Sequence, residues 1–154
     1  MLKNKLLVSA ILCKNYNSES NSIENILTVV ETNKDLEASF NLYLNIKHIG
    51  ETKYHVFTYL RSDNKFRHIG DFKVPDEEIN SNDGILDYKL VYNLADFDFP
   101  SRGQYEFIVF AITEDEYQDL LHRVSEEDEK QAVYEYLTID EDNNAFDTIV
   151  FEVE

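Results

Sequence analysis

The sequence has little cysteine, and this scarcity bears on both compartment and chemistry. Cys13 is the single cysteine among 154 residues, so an internal disulfide framework is excluded. Chains without disulfides fit a reducing compartment, and we therefore expect a cytoplasmic location. No motif around Cys13 supplies a nearby histidine to activate a thiolate, and free cysteine is often buried. We predict that Cys13 is a small buried apolar residue.

Glycine and proline are also scarce, with four and two residues, and tryptophan is absent. The sequence contains no phosphate-binding loop, no dinucleotide-binding fingerprint and no G-x-S-x-G nucleophile elbow. Pairs of carboxylates are plentiful, but among 31 acidic residues no single pair is informative. We expect a non-enzymatic protein without a cofactor. The alternative is a hydrolase or metal-dependent enzyme that these motifs do not detect.

Long apolar runs are missing as well. No run approaches the ~20 residues that a membrane helix requires, so we expect no membrane-spanning segment. The run at 6–13 follows Lys3 and Lys5 and resembles a short signal sequence that ends at a lipid-modified cysteine. Leu12, however, stands where a processing peptidase prefers a small residue. We predict a buried first strand at this run, and a lipoprotein is the alternative.

The residues that are abundant are those of a folded domain. Ten Tyr and ten Phe contribute to a hydrophobic content of 43%, which is too high for a disordered chain. A chain of this length buries roughly 70% of its unfolded surface, so a single domain at 1–154 needs no metal or disulfide. The bias towards Asn, Lys, Ile and Tyr is typical of AT-rich codons. We expect a low-GC bacterium, or its phage or plasmid, as the source.

Alternation with a period of two dominates the middle of the sequence. Apolar residues at 40–47 alternate with polar ones, as in a half-buried strand, and the turn sequence at 62–65 predicts a hairpin. The segment at 105–112 is almost entirely apolar and predicts a central strand that is covered on both faces. Seven or eight short strands without a βαβ rhythm predict an antiparallel β-sandwich. The other strands are predicted at 6–13, 26–31, 54–60, 66–74, 85–94 and 148–153, with polar segments at 15–22, 76–84 and 96–103.

A short acidic helical insertion, at about 113–142, is predicted before the last strand. Thr113 and Glu116 have the spacing of a capping box, and apolar residues follow at helical intervals. Ser125 offers a second helix start. The residues at 133–139 also alternate with a period of two, so a strand remains an alternative to a helix there.

The net charge of −17 is concentrated in the second half of the chain. Residues 113–142 contain 12 acidic residues against Arg123 and Lys130. Such a field repels nucleic acid and anionic membranes and attracts basic proteins, so we expect no direct nucleic-acid binding. These acids also stabilise helix starts and keep a surface soluble. The predicted partner-binding residues are Glu114, Asp115, Glu116, Asp119, Glu126, Glu127, Asp128 and Glu129.

Metal binding has little support in the sequence. Residues 140–144 begin like a calcium loop, but Ala145 and Phe151 replace the glycine and the glutamate that an EF-hand requires. The four histidines form no metal-binding motif. The predicted hairpin allows His55 and His68 to approach each other, but no carboxylate is placed beside them by the sequence alone. We therefore expect no metal site.

The segment Gly103-Gln104-Tyr105-Glu106-Phe107 is similar to the tyrosine-corner region of immunoglobulin-like sandwiches. The chain also resembles a family of small uncharacterised bacterial immunoglobulin-like proteins. In that family, an early strand with Ala and Cys (here 10–13) and a second strand (here 26–31) precede a late Gly-x-Tyr strand. The chain departs from the family pattern by its acidic insertion and by the lack of glycine in its first loop. The resemblance implies an immunoglobulin-like sandwich and no particular activity.

Two non-enzymatic hypotheses follow from these observations. The first is a cytoplasmic protein-interaction module whose partner is a protein with a basic surface. The second is an inhibitor, encoded by a phage or mobile element, that occupies a basic nucleic-acid channel by mimicking the charge of DNA. Competition with DNA distinguishes the second hypothesis from the first, because only a mimic shares its site with DNA.

Overall fold

The chain forms two β-sheets that pack face to face, with helices on the outside of one of them. The computed structural model describes residues 5–20, 22–75 and 85–154. Within these residues there are nine strands, three α-helices and one 3-10 turn. The strands are β1 (Lys5–Asn17), β2 (Ser22–Ile26), β3 (Val29–Val30), β4 (Glu37–Ile49), β5 (Tyr54–Ser62), β6 (Lys65–Val74), β7 (Ile85–Asp98), β8 (Gly103–Thr113) and β9 (Ala145–Val153). The helices are α1 (Glu114–Arg123), α2 (Glu129–Ile139) and α3 (Glu141–Asn144), and the 3-10 turn is Glu126–Asp128.

The strand order is that of an immunoglobulin-like sandwich. One sheet has the order β2-β1-β4-β7 and the other has the order β3-β9-β8-β5-β6. Pairing is antiparallel among the described strands, except that the two-residue β3 runs parallel to β9. The chain passes between the sheets several times, as in a Greek-key sandwich. The predicted fold, with an acidic helical insertion before the last strand, is confirmed.

Several element boundaries differ from the prediction. The strand predicted at 26–31 is divided between β2 and β3, because the chain leaves one sheet there and joins the other. Both β1 and β7 continue into segments predicted as loops, to Asn17 and Asp98. The predicted polar segment at 76–84 lies outside the described residues.

The inner faces of the sheets bury the residues that alternation predicted. Leu42, Leu44 and Ile46 are completely buried in β4. Leu44 is paired with Ala10 of β1 on one side and with Leu90 of β7 on the other. Each fully buried side chain of this kind contributes about 1.5–3 kcal/mol through removal from water. Phe40 extends this core through ring contacts with Phe97, Phe99 and Phe107.

Two turns have the local geometry expected from their residues. Asp63 and Asn64 join β5 to β6 with φ values of 47° and 66°, the left-handed conformations of a two-residue hairpin turn. This confirms the predicted hairpin. At the turn between β7 and β8, the hydroxyl of Tyr105 donates a hydrogen bond to the carbonyl of Ser101 at 2.8 Å. This is the type of backbone contact that a tyrosine corner makes.

The central strand β8 is covered on both faces, as predicted. Phe107 and Val109 point into the core between the sheets, whereas Ile108 and Phe110 belong to a second core on the outside of the five-stranded sheet. The helices cover this second core and give the molecule a third layer. Its buried members are Phe57, Tyr59, Ile108, Phe110, Ile112, Leu120, Val133 and Leu137.

The first strand supplies residues to the inter-sheet core. Leu6 and Leu12 are 4% and 1% exposed, and Cys13 is completely buried, as predicted. Burial raises the pKa of the Cys13 thiol, which lowers its reactivity because the thiolate is the nucleophile. Among the described residues, none of the helices is long and apolar enough to cross a membrane.

Candidate functional site

The helical layer, residues 114–144, begins with the predicted capping box. Thr113 has an extended backbone and its hydroxyl accepts a hydrogen bond from the Glu116 amide at 3.2 Å. The Glu116 carboxylate accepts one from the Thr113 amide at 3.4 Å. This exchange satisfies two amides that have no partner within the helix, so it fixes where β8 ends and α1 begins.

The second helical start lies at the predicted Ser125, but a 3-10 turn precedes α2. Residues 133–139 belong to α2, so the alternative of a strand there is wrong. The helical period places Val133 and Leu137, four residues apart, on the same face, where both are buried. A strand would have directed Glu135 to that same side as well.

The inner side of the helical layer is apolar and attaches it to the sheet. Leu120, Val133 and Leu137 are 6%, 4% and 0% exposed and pack against the outer residues of β5 and β8. Ile139, by contrast, is 86% exposed. The layer is thus a packed part of the domain, and its outer side is free to carry charge.

The eight acidic residues predicted to bind a partner lie in the helical layer but fall into two groups. Glu114, Glu116 and Glu129 make structural contacts or line a cleft, as described below. The others are exposed, and we call them the acidic face: Asp115, Asp119, Glu126, Glu127 and Asp128. Glu126 belongs to this face and also lines the cleft. Within the described part of the chain, none of the five forms an ion pair.

Glu116 joins the two main helices to each other. Besides its capping role, its carboxylate accepts a hydrogen bond from the Tyr136 hydroxyl of α2 at 2.8 Å. The same contact raises the pKa of Tyr136, since the hydrogen bond and the nearby negative charge both favour the neutral phenol. Glu116 is therefore a structural residue, not a free member of a binding surface.

Arg61 attaches the end of the helical layer to the sheet. Its guanidinium donates to the carboxylates of Glu106 in β8 and Glu141 in α3. The hydrogen bond from Arg61 lowers the pKa of Glu141, against the opposing effect of burial. This pairing joins three elements at one planar group, a geometry for which arginine is better suited than lysine.

A histidine–carboxylate cluster, composed of His55, His68, Asp71 and Glu114, connects α1 to the β5–β6 hairpin. His55 Nε2 lies 2.8 Å from Asp71 Oδ1, and His55 Nδ1 lies 3.2 Å from Glu114 Oε2. The second oxygen of Asp71 lies 2.7 Å from His68 Nε2. The approach of His55 and His68 across the hairpin is confirmed, and Asp71 is the carboxylate between them.

A bulge in β6 makes this cluster possible. Residues three apart in a regular strand point to opposite faces. Thr58 is paired with Gly70 and Tyr59 with His68, so Ile69 is an extra residue in β6. The extra residue places both His68 and Asp71 on the outer face, beneath the helical layer. Gly70 allows this backbone path, because a Cβ there would lie 2.5 Å from Tyr92 Cε1.

The two histidines affect the ionisation of Asp71. The hydrogen bond from His55, together with the nearness of both histidines, lowers the pKa of Asp71, although burial acts in the opposite direction. Asp71 is therefore an anionic group held in place by the sheet and by α1.

A cleft of about 210 Å³ lies beside this cluster, between the β5–β6 hairpin and the helices. Aromatic rings and carboxylates meet in it: Tyr117 lies 4.1 Å from His55 between ring centroids and 5.3 Å from Phe57. The cleft is lined by Phe57, Tyr59, His68, Asp71, Tyr117, Glu126, Glu129, Lys130 and Val133.

Part of this cleft is predictable from the sequence. Glu126 and Glu129 were predicted as binding residues, whereas Asp71, Tyr59 and Tyr117 were not. The signal for Asp71 was the pair of histidines on adjacent strands, but its position depends on a bulge that no alternation pattern shows. Tyr117 is one of the apolar residues that follow the capping box at helical intervals, a pattern that predicts a helix but no binding role.

The remaining metal candidates have structural roles. The carboxylate of Asp140 accepts hydrogen bonds from the Asn143 side chain at 2.9 and 3.1 Å. His48 is 1% exposed and its Nε2 contacts the Thr52 carbonyl. Over the ranges 5–20, 22–75 and 85–154, no group of three or more histidine, cysteine or acidic residues is arranged to hold a metal ion.

Comparison with known proteins gives no functional relative. No protein-family model and no curated protein sequence matches the chain. Among solved structures, the chain is similar to part of a beta-glucosidase from Listeria innocua in complex with isofagomine, with 11% identity and a TM-score of 0.49 over 99% of this chain. A second structure of beta-glucosidase from Listeria innocua has 10% identity and a TM-score of 0.49 over 97% of the chain. In each case the chain corresponds to 16% of the length of the enzyme.

Proposed function

We propose that this chain is a non-enzymatic, cytoplasmic protein-interaction module that binds a basic surface of another protein through its acidic face. The observation that carries the proposal is the two-sided helical layer. Its inner side is fixed to the sheet by Leu120, Val133 and Leu137, whereas the five acids of the outer side are exposed. An ordered surface on which acids outnumber the exposed cations Arg123 and Lys130 favours association with positive charge and steers the approach of a partner.

The ordering of the layer adds to its value as a binding surface. The capping box, the Glu116–Tyr136 hydrogen bond and the Arg61–Glu141 pair hold the helices in one arrangement before any partner arrives. A preorganised surface loses less conformational entropy on binding than a disordered acidic tail. The cytoplasmic location rests on the single, buried Cys13, which needs no oxidising compartment.

The test is a pull-down from the lysate of a low-GC bacterium, followed by identification of the retained protein and washing at rising salt. The test variant carries Asp115→Asn, Asp119→Asn and Glu127→Gln. The control variant carries Glu24→Gln, Glu31→Gln and Asp35→Asn, which are equally exposed but lie outside the helical layer. Both variants therefore change the net charge by the same amount.

A basic protein that the wild type and the control retain, and that the test variant loses, supports the proposal. Release by about 1 M salt is expected, because the screening length falls from about 8 Å to about 3 Å. Equal retention by both variants, or no retention at low salt, overturns it. If duplex DNA displaces the retained protein, the module acts by mimicking the charge of DNA. If the protein is retained in the presence of duplex DNA, the module recognises a site that DNA does not use.

A further inference from the structure

The cleft beside the histidine–carboxylate cluster has the shape and the lining of a binding site. Phe57 and Tyr59 are each 2% exposed and form its aromatic base, while Tyr117 and Val133 bound it from the helical side. The volume of about 210 Å³ lies below the usual range for small-molecule sites, about 300–1,000 Å³, so a single side chain fits it better than a cofactor.

The polar lining is predominantly anionic. Asp71, Glu126 and Glu129 contribute carboxylates, and Lys130 contributes one cation at the rim. The pKa of Tyr117 is raised by burial first and then by the charges of Asp71 and Glu129. Burial and the charge of Asp71 raise the pKa of Tyr59 in the same way. The negative potential therefore extends into the aromatic part of the cleft, where the phenols stay neutral.

The Tyr59 hydroxyl is an unused hydrogen-bonding group of the cleft. The residue is 2% exposed and lines the cleft, and within the described part of the chain its hydroxyl forms no hydrogen bond with another residue. A ligand with N–H donors would satisfy its oxygen, whereas an apolar ligand would leave it unpaired.

We propose that the cleft binds the side chain of an arginine on the basic partner, with Asp71, Glu129 and the Tyr59 hydroxyl as acceptors. A guanidinium has five N–H donors for these oxygens and a flat face that stacks on an aromatic ring such as Tyr117. Cations over aromatic faces gain further attraction when they are partly removed from water. This inference rests on the proposed function, because it gives the acidic face a specific anchoring point.

The first experiment is an NMR titration of the full chain with N-acetylarginine amide. A saturable response centred on the rings of Tyr59, Tyr117 and His68, with a dissociation constant on the order of 1 mM, supports the proposal. Shifts that rise linearly without saturation and spread over Asp115 and Asp119 overturn it, because they indicate diffuse attraction to the acidic face. N-acetyllysine amide should bind more weakly, since it lacks the planar fork.

Variants then distinguish binding in the cleft from attraction to the net negative charge of the protein. We expect Glu129→Gln and Tyr59→Phe each to weaken N-acetylarginine amide binding about tenfold, the loss expected for one hydrogen bond to a charged group. Lys130→Met should strengthen it severalfold, because a competing cation leaves the rim. Asp119→Asn, an exposed acid outside the cleft lining, should change it less than twofold.

The opposite responses overturn the assignment. Weaker binding by Lys130→Met would show that the cleft prefers an anion, and equal weakening by Asp119→Asn and Glu129→Gln would show that only net charge matters. If N-acetylarginine amide does not bind in the cleft, the pull-down result is unaffected, and the proposed function of the acidic face still holds. If the pull-down fails while N-acetylarginine amide binds in the cleft, the site stands and the proposed function does not.

Discussion

His68 and Asp71 are three residues apart in β6, yet both side chains lie on the same face of the sheet and are 2.7 Å apart. The bulge at Ile69 produces this arrangement, and Asp71 uses its other oxygen to bind His55. One carboxylate thus joins both strands of the hairpin, and through His55 it is connected to Glu114 of the helical layer.

We expect Asp71→Asn to destabilise the fold by about 1 kcal/mol at pH 7. A charge-assisted hydrogen bond is worth more than a neutral one, but Asp71 is about one-third exposed, and solvent screening reduces the effect. Urea unfolding followed by circular dichroism measures the change. Asp87→Asn is the control, because its pair with Lys47 is about half exposed at 4.0 Å and should contribute less than about 0.5 kcal/mol. Equal effects of the two variants would contradict a special role for Asp71.

The stability should also depend on pH through Asp71 and Glu141. Both have pKa values lowered in the folded state, so their contribution is present above the unfolded pKa, about 4, and is lost as pH falls through the folded pKa. The difference in unfolding free energy between the wild type and Asp71→Asn/Glu141→Gln should therefore shrink as the pH falls from about 5 to below about 4. A difference that stays constant down to pH 2 would show that neither pKa is lowered.

Removal of one apolar anchor should loosen the helical layer. We expect Leu137→Ala to cost about 2–5 kcal/mol, because the side chain is completely buried against the sheet. Ile139→Ala, two residues away and 86% exposed, should stay within about 0.5 kcal/mol of the wild type. Hydrogen exchange should show faster exchange in α1 and α2 for Leu137→Ala alone. Similar stabilities for the two variants would mean that the layer is not packed on the sheet.

Reversal of Glu126, Glu127 and Asp128 to Lys should leave the fold intact. All three side chains are exposed at the start of α2, where acids favour the helix dipole by about 0.3–1 kcal/mol each. A loss of about 1–2 kcal/mol with an unchanged circular dichroism spectrum is the expected result. Reversal of Glu24, Glu31 and Asp35 controls for the change in net charge. Unfolding of the first variant alone would show that these acids are structural.

Alternation in the sequence predicted most of the sandwich because each buried residue of a strand must point to the same side. It located the inner residues of β4 and the double coverage of β8, and the capping-box spacing located the start of α1. It assigned the region at 26–31 to a single strand, which is wrong, since the sheet to which a short strand belongs depends on distant partners. It also left 133–139 open, because Val133 and Leu137 satisfy a helical pattern while the residues at 133, 135, 137 and 139 would also share one face of a strand.

The site was less predictable than the fold. The abundance of acids in 113–142 indicated where charge would lie, but Glu116 and Asp119 look alike in a sequence. Which of these acids has a structural role depends on contacts such as Tyr136 with Glu116, which join residues 20 apart. Asp71 is brought to the cleft by an insertion in one strand, and such bulges leave hardly any trace in a single sequence.

The helical layer is attached to the sheet by one side only. Its inner residues are therefore constrained by packing, and its outer residues are constrained by the partner alone. Substitution of Leu120, Val133 or Leu137 disturbs a packed core, whereas substitution of Asp115, Asp119 or Glu127 changes only what the surface offers to a partner. Over evolutionary time the outer positions can therefore follow a changing partner without compensating changes in the sandwich. Among relatives of this chain, the apolar positions of the insertion should vary little, and the pattern of charge should differ from one lineage to the next.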